Sequence, residues 1–161
     1  PARAQADPRS KPKAAPADLL SKRLTDIPGA SDYYLGGVCS YSNSVKEKVL
    51  GVEEGTLDTV GAVSPETAEQ MAVGVANALG SDIGVGITGI AGRRGTEDKP
   101  TGLVYISVWY DGKFFTRKMQ SSLGRDRVRM QAASTALDLI RRHIFKQIYI
   151  ELYVILSFPL K

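Results

Sequence analysis

From residue 17 onward the apolar positions follow two rhythms, one of three- and four-residue steps and one of short continuous runs, and their alternation predicts a layered α/β domain. ADLLSKRLTD (17–26) has helical spacing and is closed by Pro28-Gly29, which neither helix nor strand tolerates easily. LGGVCSY (35–41) reads as a buried strand, with Cys39 as a small apolar filler inside it. Asn43 is a candidate N-cap for the short helix SVKEKVL, and Gly51 is placed to end it in the left-handed conformation. The clearest helix has Ser64 as cap, Pro65 at its first position, Glu66 complementing the dipole and Gly80 closing it. Its buried face is Ala68, Met71, Ala72, Val75, Ala76 and Leu79.

IGVGIT (83–88) is a continuous apolar run, the mark of a strand covered on both faces, and it runs into a Gly-rich loop over 89–101. GLVYISVWY then turns through Asp111-Gly112, a two-residue hairpin signal, into KFFTRKMQ. A long amphipathic helix over 125–145 follows, with either Val128, Ala132, Ala136 and Leu139 or Met130, Ala133, Leu137, Ile140 and Ile144 as its buried stripe. Strands mixed with helices, one loop after a buried strand and one hairpin point to an α/β fold with a mixed sheet.

Charge and composition divide the chain into three parts: a leader (1–17), a domain (18–145) and an apolar tail (146–161). The leader, PARAQADPRSKPKAAPA, is rich in Pro, Ala and charge and cannot bury enough surface to offset its ordering entropy, so it reads as disordered. It holds a net +3 of the total +4, which leaves the remainder near neutral, with no dense basic stripe carrying interleaved aromatics. That argues against a nucleic-acid partner. The tail segment IYIELYVILSFPLK is strongly apolar but, at about fourteen residues, falls short of the roughly 18–20 that cross a bilayer as a helix, which argues against a membrane partner. Its β-branched and aromatic content suits a strand, and residues 148–158 are a candidate to complete the sheet. A single cysteine permits no intrachain disulfide and, with one histidine, no zinc set, so a reducing cytoplasm fits and neither metal nor cofactor is expected. That histidine, His143, sits among Arg141, Arg142 and Lys146, where a helix end favours cations.

Chemistry in α/β sheets concentrates at the ends of buried strands, so the loops after 35–41 and 83–88 are the first places to look. The glycines of Thr88-Gly89-Ile90-Ala91-Gly92 let backbone N–H groups approach an anion or a developing oxyanion; a plain tight connection reads equally well. Tyr41-Ser42-Asn43 precedes Lys46 by about one helical turn, so a phenol and an amine can converge. By pattern alone Lys46 is more often a solvated helix-face lysine, because only burial makes an amine a useful base, and Tyr41 a strand-end anchor.

The runs LLSKRLTDIPGASDYYLGGVCSYSNSVKEKVLGV, GAVSPETAEQMA, TGIAG, KPTGLVYISV, Gly124-Arg125-Asp126-Arg127 and ALDLIRR, in this order and spacing over residues 19–142, resemble the CinA C-terminal domain, a competence/damage-inducible family. The resemblance implies a three-layer α/β/α sandwich. It also implies an amidohydrolase of the pyridine nucleotide cycle and NAD salvage, which hydrolyses the side-chain amide of nicotinamide mononucleotide to nicotinic acid mononucleotide and ammonia. Tyr41 and Lys46 match the family's catalytic Tyr and Lys, which activate a serine nucleophile. Asn43 falls in the same motif, and Thr88, Gly89, Ala91 and Gly92 match the substrate loop. The partner implied is that nucleotide or a relative of it; oligomeric state is left open, although relatives often pair.

Two departures from the family pattern qualify this reading. Arg93-Arg94-Gly95-Thr96 replaces the usual Pro and Gly run, and Arg93 and Arg94 either bind a substrate phosphate or project into water. Where the family has a strand leading into Glu-Ser-Cys-Thr-Gly-Gly, residues 13–18 read Lys-Ala-Ala-Pro-Ala-Asp. Ala14 thus stands in the place of the nucleophile and the first strand has no counterpart, so a binding-only descendant is the alternative function. Ser10 is too far upstream to align, and Ser42 belongs to another strand end.

Overall fold

A computed structural model describes residues 16–92 and 99–145. The leader up to residue 15, Arg93, Arg94 and the tail, including the expected strand at 148–158, lie outside the described residues. Helix α1 (Pro16–Thr25) is followed by α2 (Asn43–Leu50), α3 (Glu54–Thr59), α4 (Pro65–Leu79), β1 (Ile83–Gly89), β2 (Leu103–Tyr110), β3 (Lys113–Gln120) and α5 (Arg125–Ile140), which runs into a π-helical turn, Arg141–Phe145. Because α1 starts at Pro16, the last two residues assigned to the leader belong to the first helix.

The described sheet has the order β1-β2-β3 and is antiparallel throughout; the parallel pairing that a mixed sheet requires does not occur among the described strands. Helix α4 covers one face of it, and α5, with α1 packed alongside, covers the other, giving the α/β/α layering. The two faces are built differently. Toward α5, Ile87, Val104, Ile106 and Val108 form a core with Leu20, Val128, Ala132, Ala133, Ala136 and Leu139. Toward α4, β1 presents Gly84 and Gly86, and a Cβ on either would overlap a carbonyl oxygen of α4, that of Ala72 or of Ala68. The small residues Ala68, Ala72 and Ala76, all nearly inaccessible, let the helix settle directly on the strand.

Helix α4 starts as its sequence dictates: Ser64 Oγ accepts from Thr67 N at 3.1 Å, Pro65 occupies the first turn, and Gly80 closes the helix at φ 64. Ser64 is itself buried and its hydroxyl also donates to Thr67 Oγ1. Ser64→Ala is expected to destabilise the domain by about 1–2 kcal/mol, read as a lowered urea midpoint at unchanged slope. The hairpin turns at Asp111 (φ 49) and Gly112 (φ 71), the two left-handed positions of a type I′ turn. On α5 the stripe Val128, Ala132, Ala136 and Leu139 is buried; of the alternative stripe Ala133 and Ile144 are buried as well, Leu137 and Ile140 pack partly buried on the same core, and Met130 is 52% exposed.

Three expectations are corrected. Residues 35–41 form no strand ladder; Leu35 is 60% and Tyr41 62% exposed, and Cys39 is an exposed thiol rather than core filler. They pair with no described strand, and along the segment Val38 and Ser40 are the side chains that turn inward. The cap of α2 is Ser42, extended at φ −92 with its Oγ accepting from Val45 N at 3.3 Å, while Asn43 is already helical. Leu79, placed on the buried face of α4, is 36% exposed. The short α3, with Leu57 as its buried residue, was not foreseen.

Candidate functional site

Two segments carry the residues that sequence singled out, and a turn over 60–64 lies between them. Lys46 is only 6% exposed although it sits on a short surface helix, so the burial that base chemistry requires is present. Its Nζ donates to the carbonyl of Ser40 at 3.0 Å, the peptide that joins Ser40 to Tyr41. The helix thus folds its amine back on the end of the extended segment, beside Tyr41. Asn43, on the exposed first turn of α2, is not drawn into this contact.

Neither nearby serine replaces a nucleophile. Ser42 Oγ is engaged as the helix cap and lies 3.0 Å from Ser44 Oγ. Ser40 Oγ is buried with no hydrogen-bond partner, an unfavourable arrangement that usually costs about 1–3 kcal/mol, and it presents less than 1 Å² to any attacking geometry.

The second segment begins where β1 ends. Thr88 is buried and its Oγ1 donates to Ala62 O at 2.5 Å, which ties the strand end to the turn that leads into α4. Gly89 passes so close to β2 that a Cβ would lie 2.7 Å from Leu103 O. Ile90 N donates to Leu103 O at 2.8 Å and Gly102 N returns a bond to Ile90 O at 2.6 Å, closing the base of the loop. Beyond this point Ala91 and Gly92, both half-buried, direct no N–H to any acceptor among the described residues. The guanidinium of Arg125, at the start of α5, reaches to 3.3 Å from where a Gly92 Cβ would stand. A guanidinium and two backbone donors thus lie near one another at the loop, groups of the kind that bind an anion or an oxyanion.

The two segments share Ala62. Its carbonyl accepts from Thr88, and its side chain packs on the cluster of Leu50, Val52, Leu57 and Met71 that seats α2. The amine and the glycine loop are thereby fixed to a common wall. Arg125, which sequence reading used only to mark the family, was missed as a site residue; its signal was a charged residue opening a helix directly after Gly124. His143 is elsewhere, stacked on Phe115 with ring centroids 4.2 Å apart.

The family model described as the CinA C-terminal domain matches residues 15–144. The chain belongs to the CinA C-terminal domain family. A CinA-like protein of Syntrophomonas wolfei is 50% identical over 128 residues, covering 78% of this chain and 30% of that protein. Another, from Desulfovibrio desulfuricans, is 47% identical over 130 residues, 78% of this chain and 31% of that protein. The chain thus spans about a third of the length of these curated relatives. Among solved structures, the competence/damage inducible protein CihA of Agrobacterium tumefaciens superposes with a TM-score of 0.75 at 35% identity, covering 79% of each chain. The competence damage-inducible protein A of Klebsiella pneumoniae gives 0.77 at 28% identity, covering 80% of this chain and 81% of that one. No helix among the described residues is long and apolar enough to cross a membrane, and no metal-binding group of His, Cys, Asp and Glu occurs among them.

Proposed function

We propose that this domain binds nicotinamide mononucleotide in an amidohydrolase-type site, with hydrolysis of the nicotinamide side-chain amide to the acid and ammonia as the chemistry that Tyr41 and Lys46 serve. The observation that carries the reading is the Arg125 guanidinium held 3.3 Å from the Gly92 Cβ position, at a stretch of backbone, Ala91 and Gly92, whose N–H groups meet no acceptor among the described residues. An amide is a poor electrophile, and donors held in advance where its oxygen gains charge lower the barrier most. The same donors suit a phosphate, whose charge Arg125 would match. Lys46, buried and hydrogen-bonded beside Tyr41, supports the role of proton acceptor for a nucleophile.

A second reading, a nucleotide pocket without turnover, is favoured by one specific observation: neither serine near Lys46 is available, Ser40 being inaccessible and Ser42 engaged as a cap, while the family resemblance expects its serine at residue 14, which is Ala in this chain. Calorimetric titration with nicotinamide mononucleotide, paired with an ammonia assay, tests both. Binding is expected, and Arg125→Met should weaken it roughly tenfold or more, about 1.4 kcal/mol per decade. Wild-type protein that neither binds the nucleotide nor releases ammonia would remove both readings; binding without ammonia selects the second.

A further inference from the structure

The turn over 60–64 receives a second side chain. Lys99, on the arm that returns from the glycine loop to β2, donates its Nζ to Val60 O at 2.6 Å and to Val63 O at 2.8 Å. Thr88, on the outgoing arm, donates to Ala62 O between them. Three carbonyls of one turn thus hold the two arms, one through a hydroxyl and one through an ammonium. Charge-assisted bonds of this kind are about twice as strong as neutral ones. The turn is itself fixed on its other sides: Thr67 Oγ1 donates to Gly61 O at 2.8 Å, Ser64 caps α4, and Ala62 packs on the cluster that seats α2.

We propose that Lys99 is the positioning residue of the anion cradle. By clipping the returning arm to the turn that also holds Thr88, it sets where the Ala91 and Gly92 amides stand relative to α2 and the Lys46 amine. It does not touch the ligand; it acts through the backbone it holds. The proposal rests on the nucleotide reading for its functional consequence, but the clip itself is a property of the free protein. Lys99 is half-buried on a loop arm and outside the three apolar clusters, so removing its ammonium should perturb the cradle far more than global stability.

The test uses Lys99→Met, which keeps the aliphatic stem and removes the donors, and Lys99→Arg, whose forked guanidinium can reach two carbonyls. Amide hydrogen exchange in the ligand-free full chain is read at Ile90 and Gly102, which close the loop base, and at Gly86 and Ile106 in the sheet. In Lys99→Met the first pair should exchange roughly tenfold faster while the sheet pair is unchanged; Lys99→Arg should restore protection. The dissociation constant for nicotinamide mononucleotide should rise by about tenfold in Lys99→Met and return to within about threefold of wild type in Lys99→Arg. Unchanged exchange at Ile90 and Gly102 in Lys99→Met overturns the clip. Faster exchange with undiminished nucleotide affinity reduces Lys99 to a structural tie and overturns its positioning role. Should the wild-type chain bind no nucleotide, the exchange result still decides the clip, and it is the nucleotide reading that fails.

Discussion

Gly86→Val is expected to leave the domain largely unfolded, with no cooperative urea transition at room temperature, whereas Gly55→Ala should be neutral or stabilising by up to about 1 kcal/mol. A Cβ at Gly86 meets not the tip of a side chain but the backbone of α4: it overlaps Ala68 O and lies 2.8 Å from Ala72 N. Backbone cannot swing aside as a rotamer does, so relief requires α4 to withdraw from the sheet. That retreat is blocked on its far side, where Gly74 of α4 is packed so closely on Leu50 that a Cβ there would overlap the Leu50 carbonyl. Overpacking that forces a backbone shift costs about 1–3 kcal/mol and occasionally more, a large share of the roughly 5–15 kcal/mol that holds a domain of this size. A second cost follows, because α4 is continuous with the turn that carries Ala62, and its displacement would pull that turn from Thr88 and Lys99. Gly55, inside α3, has nothing within 4 Å of its Cβ position, so a methyl there meets only solvent. A Gly86→Val protein that unfolds cooperatively at the wild-type midpoint would show that the α4–β1 contact is looser than described.

Those same glycines show what sequence could and could not disclose. IGVGIT was legible as a doubly covered strand because its apolar residues are interrupted by nothing larger than glycine, and Ser64-Pro65 and Asp111-Gly112 were legible because a cap and a hairpin turn depend on adjacent residues. LGGVCSY was misread for a physical reason: local composition reports that a segment can be a strand, not that another strand is beside it. Its Leu35, Cys39 and Tyr41 are exposed in consequence. Two cap-forming residues in succession, Ser42 and Asn43, put the start of α2 one residue late, and α3 was too short, at six residues with Gly55 inside, to show a period. At the site, the motif drew attention to Tyr41, Lys46 and the glycine loop, but the element that unites them lies elsewhere in the chain. The acceptors of Lys99 are 36 and 39 residues away and that of Thr88 is 26 away. Pairings at such separations leave no local periodicity to read.

Replacing residues 13–18 by Glu-Ser-Cys-Thr-Gly-Gly, that is K13E, A14S, A15C, P16T, A17G and D18G together, is expected to raise ammonia release from nicotinamide mononucleotide by several orders of magnitude, up to the roughly 10⁶-fold that removing the serine of a serine hydrolase costs. The reaction would begin with the introduced serine oxygen adding to the amide carbon as its proton passes toward Lys46. The tetrahedral oxyanion would lie against the Ala91 and Gly92 amides, ammonia would leave with a returned proton, and water would then cleave the acyl-enzyme to the free acid. On the proposed reading the proton acceptor and the oxyanion donors are already in the chain, which is why one graft should have so large an effect. Within the described residues the graft alters only the first turn of α1 and leaves Leu20, the first core residue of that helix, in place. A matching urea midpoint would show that the grafted protein is folded. Adding Lys46→Met to the graft should return ammonia release to near the starting level while nucleotide binding persists, since Lys46 is assigned to proton transfer and not to the anion. Two results would refute this division of labour: wild-type protein already turning over at the grafted rate, or a grafted enzyme indifferent to Lys46→Met.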